Sequence, residues 1–162
     1  MKRAARTRVG RTTAKPSPAP LPAPSCGPAG YSGTPLAKKL GFKPGARALL
    51  IGAPPKFRET LVGLPDDVTF VTPRSTDAID LAVLFTPSSA ELQRQFENVM
   101  SRLAPAAGLW VAWPKKSSGV ASDLTEDLIR NHGLRCGLVD NKVCAIDRTW
   151  SGLRFVRRLK DR

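Results

Sequence analysis

Histidine is nearly missing from this sequence, and cysteine is scarce. His132 stands alone, and Cys26, Cys136 and Cys144 form no CxxC pair. A structural zinc site takes about four nitrogen or sulfur ligands at defined spacings, so no metal site is expected. A single histidine without a nearby nucleophile builds no Ser/His/Asp set either. Free thiols fit a reducing compartment, and Cys136 and Cys144 read as small core residues. No apolar run reaches the roughly 18 residues that a membrane span needs. The basic start Met1-Lys2-Arg3 is followed by no apolar stretch of the kind a secretory signal carries. These absences predict a soluble, cytoplasmic chain that does not engage a membrane.

Acidic residues are missing from one end of the chain. Residues 1–29 hold six Lys or Arg and no acid, whereas the rest holds 20 basic and 13 acidic groups. About half of the net charge of +13 therefore belongs to a tail. Proline at alternate positions from Pro16 to Pro24 favours an extended polyproline conformation and cannot build a core. Residues 1–29 read as a disordered, basic, Pro-rich tail, solubilising or able to bind nucleic acid weakly through Met1–Lys15. Residues 30–162 read as one α/β domain with one modest core.

Along that domain the punctuation is regular. Thr34-Pro35 marks a helix start and Gly41 its stop. Ala46–Gly52 is a short apolar run of the buried-strand type. A short helix is expected over 55–63, with Phe57 and Leu61 one turn apart, and strands over 68–71 and 80–85. Ser88 and Glu91 fit a capping box ahead of Leu92, Phe96, Val99, Met100 and Leu103 at helical spacing, and Pro105 and Gly108 close that helix. A strand over 109–113, a polar loop, and a helix over 123–132 ended by Gly133 follow. His132 falls in that helix's last turn, where a positive charge is favoured. Strands near 137–146 and 150–158, joined at Asp147-Arg148-Thr149, predict an antiparallel hairpin. The alternation predicts a Rossmann-like α/β fold, mainly parallel, with helices on both faces.

Two sets of words carry a resemblance. One is Gly30–Gly41; the other comprises Trp113-Pro114-Lys115-Lys116, Ser118-Gly119-Val120, Asp123–Asp127, Lys142–Ala145 and Thr149–Leu153. On them the chain resembles the bacterial domain-of-unknown-function family 3052, over about residues 30–158. That resemblance brings no reaction with it. The Leu103-Ala104-Pro105 turn and the terminal hairpin also resemble the Rossmann-like methyltransferases that use adenosylmethionine. Such domains grip the cofactor with a glycine-rich first turn and an acid at the end of the second strand. Here the turn reads Gly52-Ala53-Pro54-Pro55-Lys56, with two prolines that lack N–H groups, and the second strand runs into Thr72-Pro73-Arg74 without a carboxylate. No cofactor is expected on these residues.

The remaining candidate is an anion site in the loop after the fourth strand. Lys115, Lys116, Ser117, Ser118 and Gly119 supply charge, hydroxyls and a flexible backbone, and Ser122 and Asp123 mark the next helix start. A second candidate is Tyr31, Ser32, Gly33 and Thr34, which read equally as a helix cap. The first functional reading is thus a small binding or regulatory module without catalysis, holding an anionic small molecule or protein partner at the Lys115-Lys116 loop. The alternatives are a divergent adenosylmethionine-dependent methyltransferase-like enzyme and a nucleic-acid-associated protein acting through its basic tail.

Overall fold

The structure is a computed structural model that describes residues 33–162. The tail over 1–29, Cys26, Tyr31 and Ser32 lie outside the described residues. The chain runs α1 (Leu36–Leu40), β1 (Arg47–Ile51), a short 3-10 turn (Phe57–Thr60), β2 (Thr69–Val71), β3 (Ile79–Phe85), α2 (Ser89–Arg102), β4 (Leu103–Pro114), α3 (Glu126–Arg135), β5 (Leu138–Ala145) and β6 (Trp150–Arg157). All six strands form one sheet in the order β2-β1-β3-β4-β6-β5. The first four in that order are parallel; β6 is antiparallel to both β4 and β5.

Each face of the sheet carries its own core. Leu92, Phe96 and Val99 of α2 and Ile129 of α3 cover Leu84, Leu109, Val111 and Phe155 on one face. Ala37 and Leu40 of α1, with Phe57 and Leu61 around the 3-10 turn, cover Leu81, Val83, Trp110 and Ala112 on the other. Strands β3 and β4 are buried on both faces, which is why they read as continuous apolar runs. Trp110 fastens α1 to the sheet by donating its Nε1 hydrogen to the Leu40 carbonyl over 2.8 Å. Among the described residues no helix is long and apolar enough to cross a membrane.

Several boundaries depart from the sequence reading, each for a physical reason. Pro105 and Gly108 do not close α2; both lie inside β4. Ile79 pairs with Leu103 and Leu81 with Gly108, so β4 carries extra residues there and Pro105 sits in an exposed irregularity. The helix expected over 55–63 shrinks to the 3-10 turn, led by Lys56 in the left-handed region at φ 63°. Gly133 does not end α3 but lies within it, and the left-handed residue after the helix is Gly137 at φ 88°. Gly41 ends α1 as expected: it is left-handed, and its N–H reaches the Ala37 and Lys38 carbonyls.

Candidate functional site

Strand β1 has β2 on one side and β3 on the other, so the crossovers leave it in opposite directions. In open α/β sheets the crevice beyond the carboxyl ends at such a switch point is where ligands bind. Four segments meet at that end: the Gly52–Lys56 turn, the Thr86–Ser88 turn, the loop after β4, and the β5–β6 turn.

The first turn is tightly closed. Gly52 has φ 63°, and a Cβ at this position would collide with the Phe85 carbonyl. The glycine is there to let β1 and β3 finish side by side. Behind it Phe57 meets Phe85 edge-on at 4.7 Å, and Phe85 meets Trp150 edge-on at 5.2 Å. Aromatic side chains thus fill the α1 side of the switch point.

The Thr86 turn is built from hydroxyls. Thr86 is fully buried; its N–H donates to the Ala112 carbonyl and its Oγ1 accepts from the Ser88 N–H. Ser88 caps α2, its Oγ accepting from the Glu91 N–H as the capping box predicts.

The loop after β4 leans on this turn. Ser122 Oγ donates to the Pro87 carbonyl over 2.7 Å. Asp123 accepts from the Ser89 N–H over 2.8 Å and from Ser89 Oγ over 2.5 Å. Both Ser89 bonds hold the Asp123 carboxyl below its ordinary pKa. Asp123 therefore serves the start of α2, a distant helix, rather than that of α3. The helix expected from residue 123 begins at Glu126, with Thr125 as its cap accepting from the Leu128 N–H.

Lys115 is tied down: its N–H donates to the Thr149 carbonyl and its Nζ to the Asp147 carbonyl over 2.6 Å. Lys116, Ser117 and Ser118 form one 3-10 turn that ends at Gly119, left-handed at φ 75°, and Ser118 Oγ donates back to the Lys115 carbonyl. Lys116 is exposed beside them. Of the second candidate, Gly33 and Thr34 are exposed, and Thr34 gives no side-chain cap; Pro35 stands at that position. The 115–123 segment thus comes together with partners that pattern reading missed, Pro87, Ser89 and Asp147. Their signals, a proline and a serine at a helix start and an aspartate in a hairpin turn, are too common to single out.

No family model matches the sequence, and no curated protein matches it. The resemblance to family 3052 therefore rests on the quoted words alone. Solved structures do match the fold. A SAM-dependent methyltransferase from Aquifex aeolicus aligns with 74% of this chain and 86% of its own, at 12% identity and a TM-score of 0.55. The magnesium protoporphyrin IX methyltransferase (ChlM) from Synechocystis PCC 6803, solved with bound SAM, aligns with 76% of this chain and 74% of its own, at 14% identity and a TM-score of 0.50. The fold is a methyltransferase-like Rossmann fold. These matches overturn the leaning away from an enzyme, because the solved structures that share the fold include methyltransferases.

The residues present do not fit the grip that the fold implies for adenosylmethionine. Pro54 and Pro55 offer no amide to a ligand. No acid stands at the end of β2; instead the Thr72 and Pro73 carbonyls accept from the Arg102 guanidinium.

Proposed function

We propose that this chain is a divergent methyltransferase-like enzyme, a group-transfer protein that works at the carboxyl ends of β1, β3 and β4. The strand order carries this reading. It combines a switch point at β1 with an antiparallel β6 inserted between β4 and β5, in a fold that aligns over most of both chains with a SAM-dependent methyltransferase. Lys116, exposed on the loop that borders this crevice, is the group that meets an anionic part of the substrate. The same loop is braced by Asp123 and Ser122 against the α2 start, so its position is set by the fold rather than by the ligand.

Calorimetry of the full chain with S-adenosylmethionine and S-adenosylhomocysteine tests the donor. The closed first turn leads us to expect affinity no better than millimolar. Micromolar binding would show that the chain grips the cofactor through other residues. A thermal-shift panel of other group donors bearing phosphate or carboxylate tests the cleft. At least one should raise the melting temperature, and Lys115→Ala with Lys116→Ala should remove that shift. The enzyme reading fails if no donor of either kind binds, and the loop assignment fails if binding ignores both lysines.

A further inference from the structure

At the opposite end of β4 lies a guanidinium whose Nε has no acceptor among the described residues. Arg154 of β6 stands across from Trp110 of β4, on the face that α1 covers. Its side chain lies over Gly108, two residues earlier on the same face. A Cβ at Gly108 would stand 2.7 Å from Arg154 Nε, 2.8 Å from Nη2 and 3.0 Å from Cζ. Gly108 is therefore the seat of the guanidinium, and Nη1 is the nitrogen directed away from it. Arg154 Nε is buried and has no hydrogen-bond partner among the described residues.

The neighbours add charge of the same sign. Lys142 of β5 is the cross-strand partner of Arg154, and such pairs bring their Cβ atoms within about 4.5–5.5 Å and repel when the charges are alike. Lys142 Nζ donates to the Lys39 carbonyl at the end of α1, which holds it over the same face. Among the described residues neither Arg154 nor Lys142 joins an ion pair. Burial first, and then the Arg162 charge, lower the Arg154 pKa. A cation left partly buried beside another cation is a costly arrangement unless an anion completes it.

We propose that this cradle binds a phosphate group, taken by the Arg154 guanidinium on its Gly108 seat, with Arg162 and the cross-strand Lys142 adding positive charge around it. With the Nε–Nη2 edge laid on Gly108, the outward Nη1 end is the part that meets a phosphate oxygen, and arginine is the residue best suited to phosphate. Arg162, whose charge bears on Arg154, and the cross-strand Lys142 make this face positive, which suits a group bearing about −1.5 to −2 charges better than a carboxylate. Gly108 and Pro114 are six residues apart on β4, about 20 Å along a strand, so this site is separate from the crevice at the carboxyl ends.

Thermal melting of the full chain tests the site, with chloride replaced stepwise by inorganic phosphate at constant ionic strength. The unaltered protein should gain stability in a saturable way. Arg154→Gln should be no less stable in chloride and should gain nothing from phosphate. Gly108→Ala keeps every charge but fills the seat, and should weaken the phosphate response roughly tenfold or more. Adenosine monophosphate in place of inorganic phosphate should act through the same residues. Equal gains in all three proteins would overturn the proposal, as would an Arg154→Gln variant that loses the same stability in both salts. A response lost with Lys115→Ala and Lys116→Ala but kept in Arg154→Gln would belong to the β4 loop and would overturn it too.

Discussion

Gly133 shows how a single missing side chain can be structural. It sits inside α3 with ordinary helical φ, and a Cβ there would run into the Phe155 ring. Its role is space, not a helix stop. Gly133→Ala should therefore destabilise the protein by about 1–3 kcal/mol through overpacking, read from the midpoint of urea unfolding. One residue earlier, His132 packs edge-on against Phe96 at 4.8 Å, with its Nε2 3.8 Å from Cys136 Sγ. Burial first, and then the Arg135 charge, lower its pKa, while Glu97 pulls the other way. The expected benefit of a positive charge at the helix end is thus reversed by the packing. The unfolded chain takes up this proton more readily than the folded one. Stability associated with His132 is complete above the ordinary histidine pKa of 6.5 and falls as pH drops through the lower folded value. Unfolding midpoints measured from mildly alkaline to mildly acid pH should show this fall, and His132→Gln should flatten it. A midpoint that rises on acidification would contradict the lowered pKa of this half-buried ring.

At the level of elements, the start of α2 is where the two layers of chain around the crevice are joined. Ser88 caps it from its own strand turn, and Asp123 caps it from the loop after β4. Ser88→Ala should cost about 0.5–2 kcal/mol. Asp123→Ala should also lower stability, and because the two side chains serve one helix end, the double variant should depart from the sum of the singles. The Asp123 contribution has its own pH signature. Its folded pKa is lowered, so the contribution is present above the ordinary carboxylate pKa and is lost as pH falls through the folded value. The Ser88 cap and the Gly41 stop were legible in the sequence because each is settled within four residues, although the Ser88 N–H goes to Thr86 Oγ1 and not to Glu91 as a full capping box would have it. Asp123 was not: a carboxylate just ahead of a helix reads as that helix's cap, and only the folded chain brings Ser89 against it. Pro105 and Gly108 misled in the same way. Read locally they end a helix; in the sheet, one lies in an exposed irregularity and the other makes room for Arg154.

On the scale of the whole molecule, alternation of apolar runs and helical spacing was enough for the sheet, its mostly parallel pairing and the terminal hairpin. It was not enough for the placement of β6 between β4 and β5, which depends on residues far apart in sequence. The leaning away from an enzyme gave one turn too much weight, while the methyltransferase-like alternative agrees with the fold: Pro54 and Pro55 speak to one way of holding one cofactor and no further. Charge is the remaining global property. Residues 1–29 carry six basic groups, no acid and alternating prolines, a composition with little apolar surface to bury. The described members of the two cores on the faces of the sheet form continuous clusters on their own. If those cores account for the folding energy, deleting residues 1–29 leaves the melting temperature unchanged within error. The same deletion removes six of the 26 basic groups and no acid, so binding to a polyanion such as heparin or single-stranded DNA should weaken and its salt dependence should become shallower. A clear drop in melting temperature would show that the segment packs on the domain. Polyanion binding that keeps both its strength and its salt slope would place the contact on the folded part instead, with the Arg154 face the first surface to mutate.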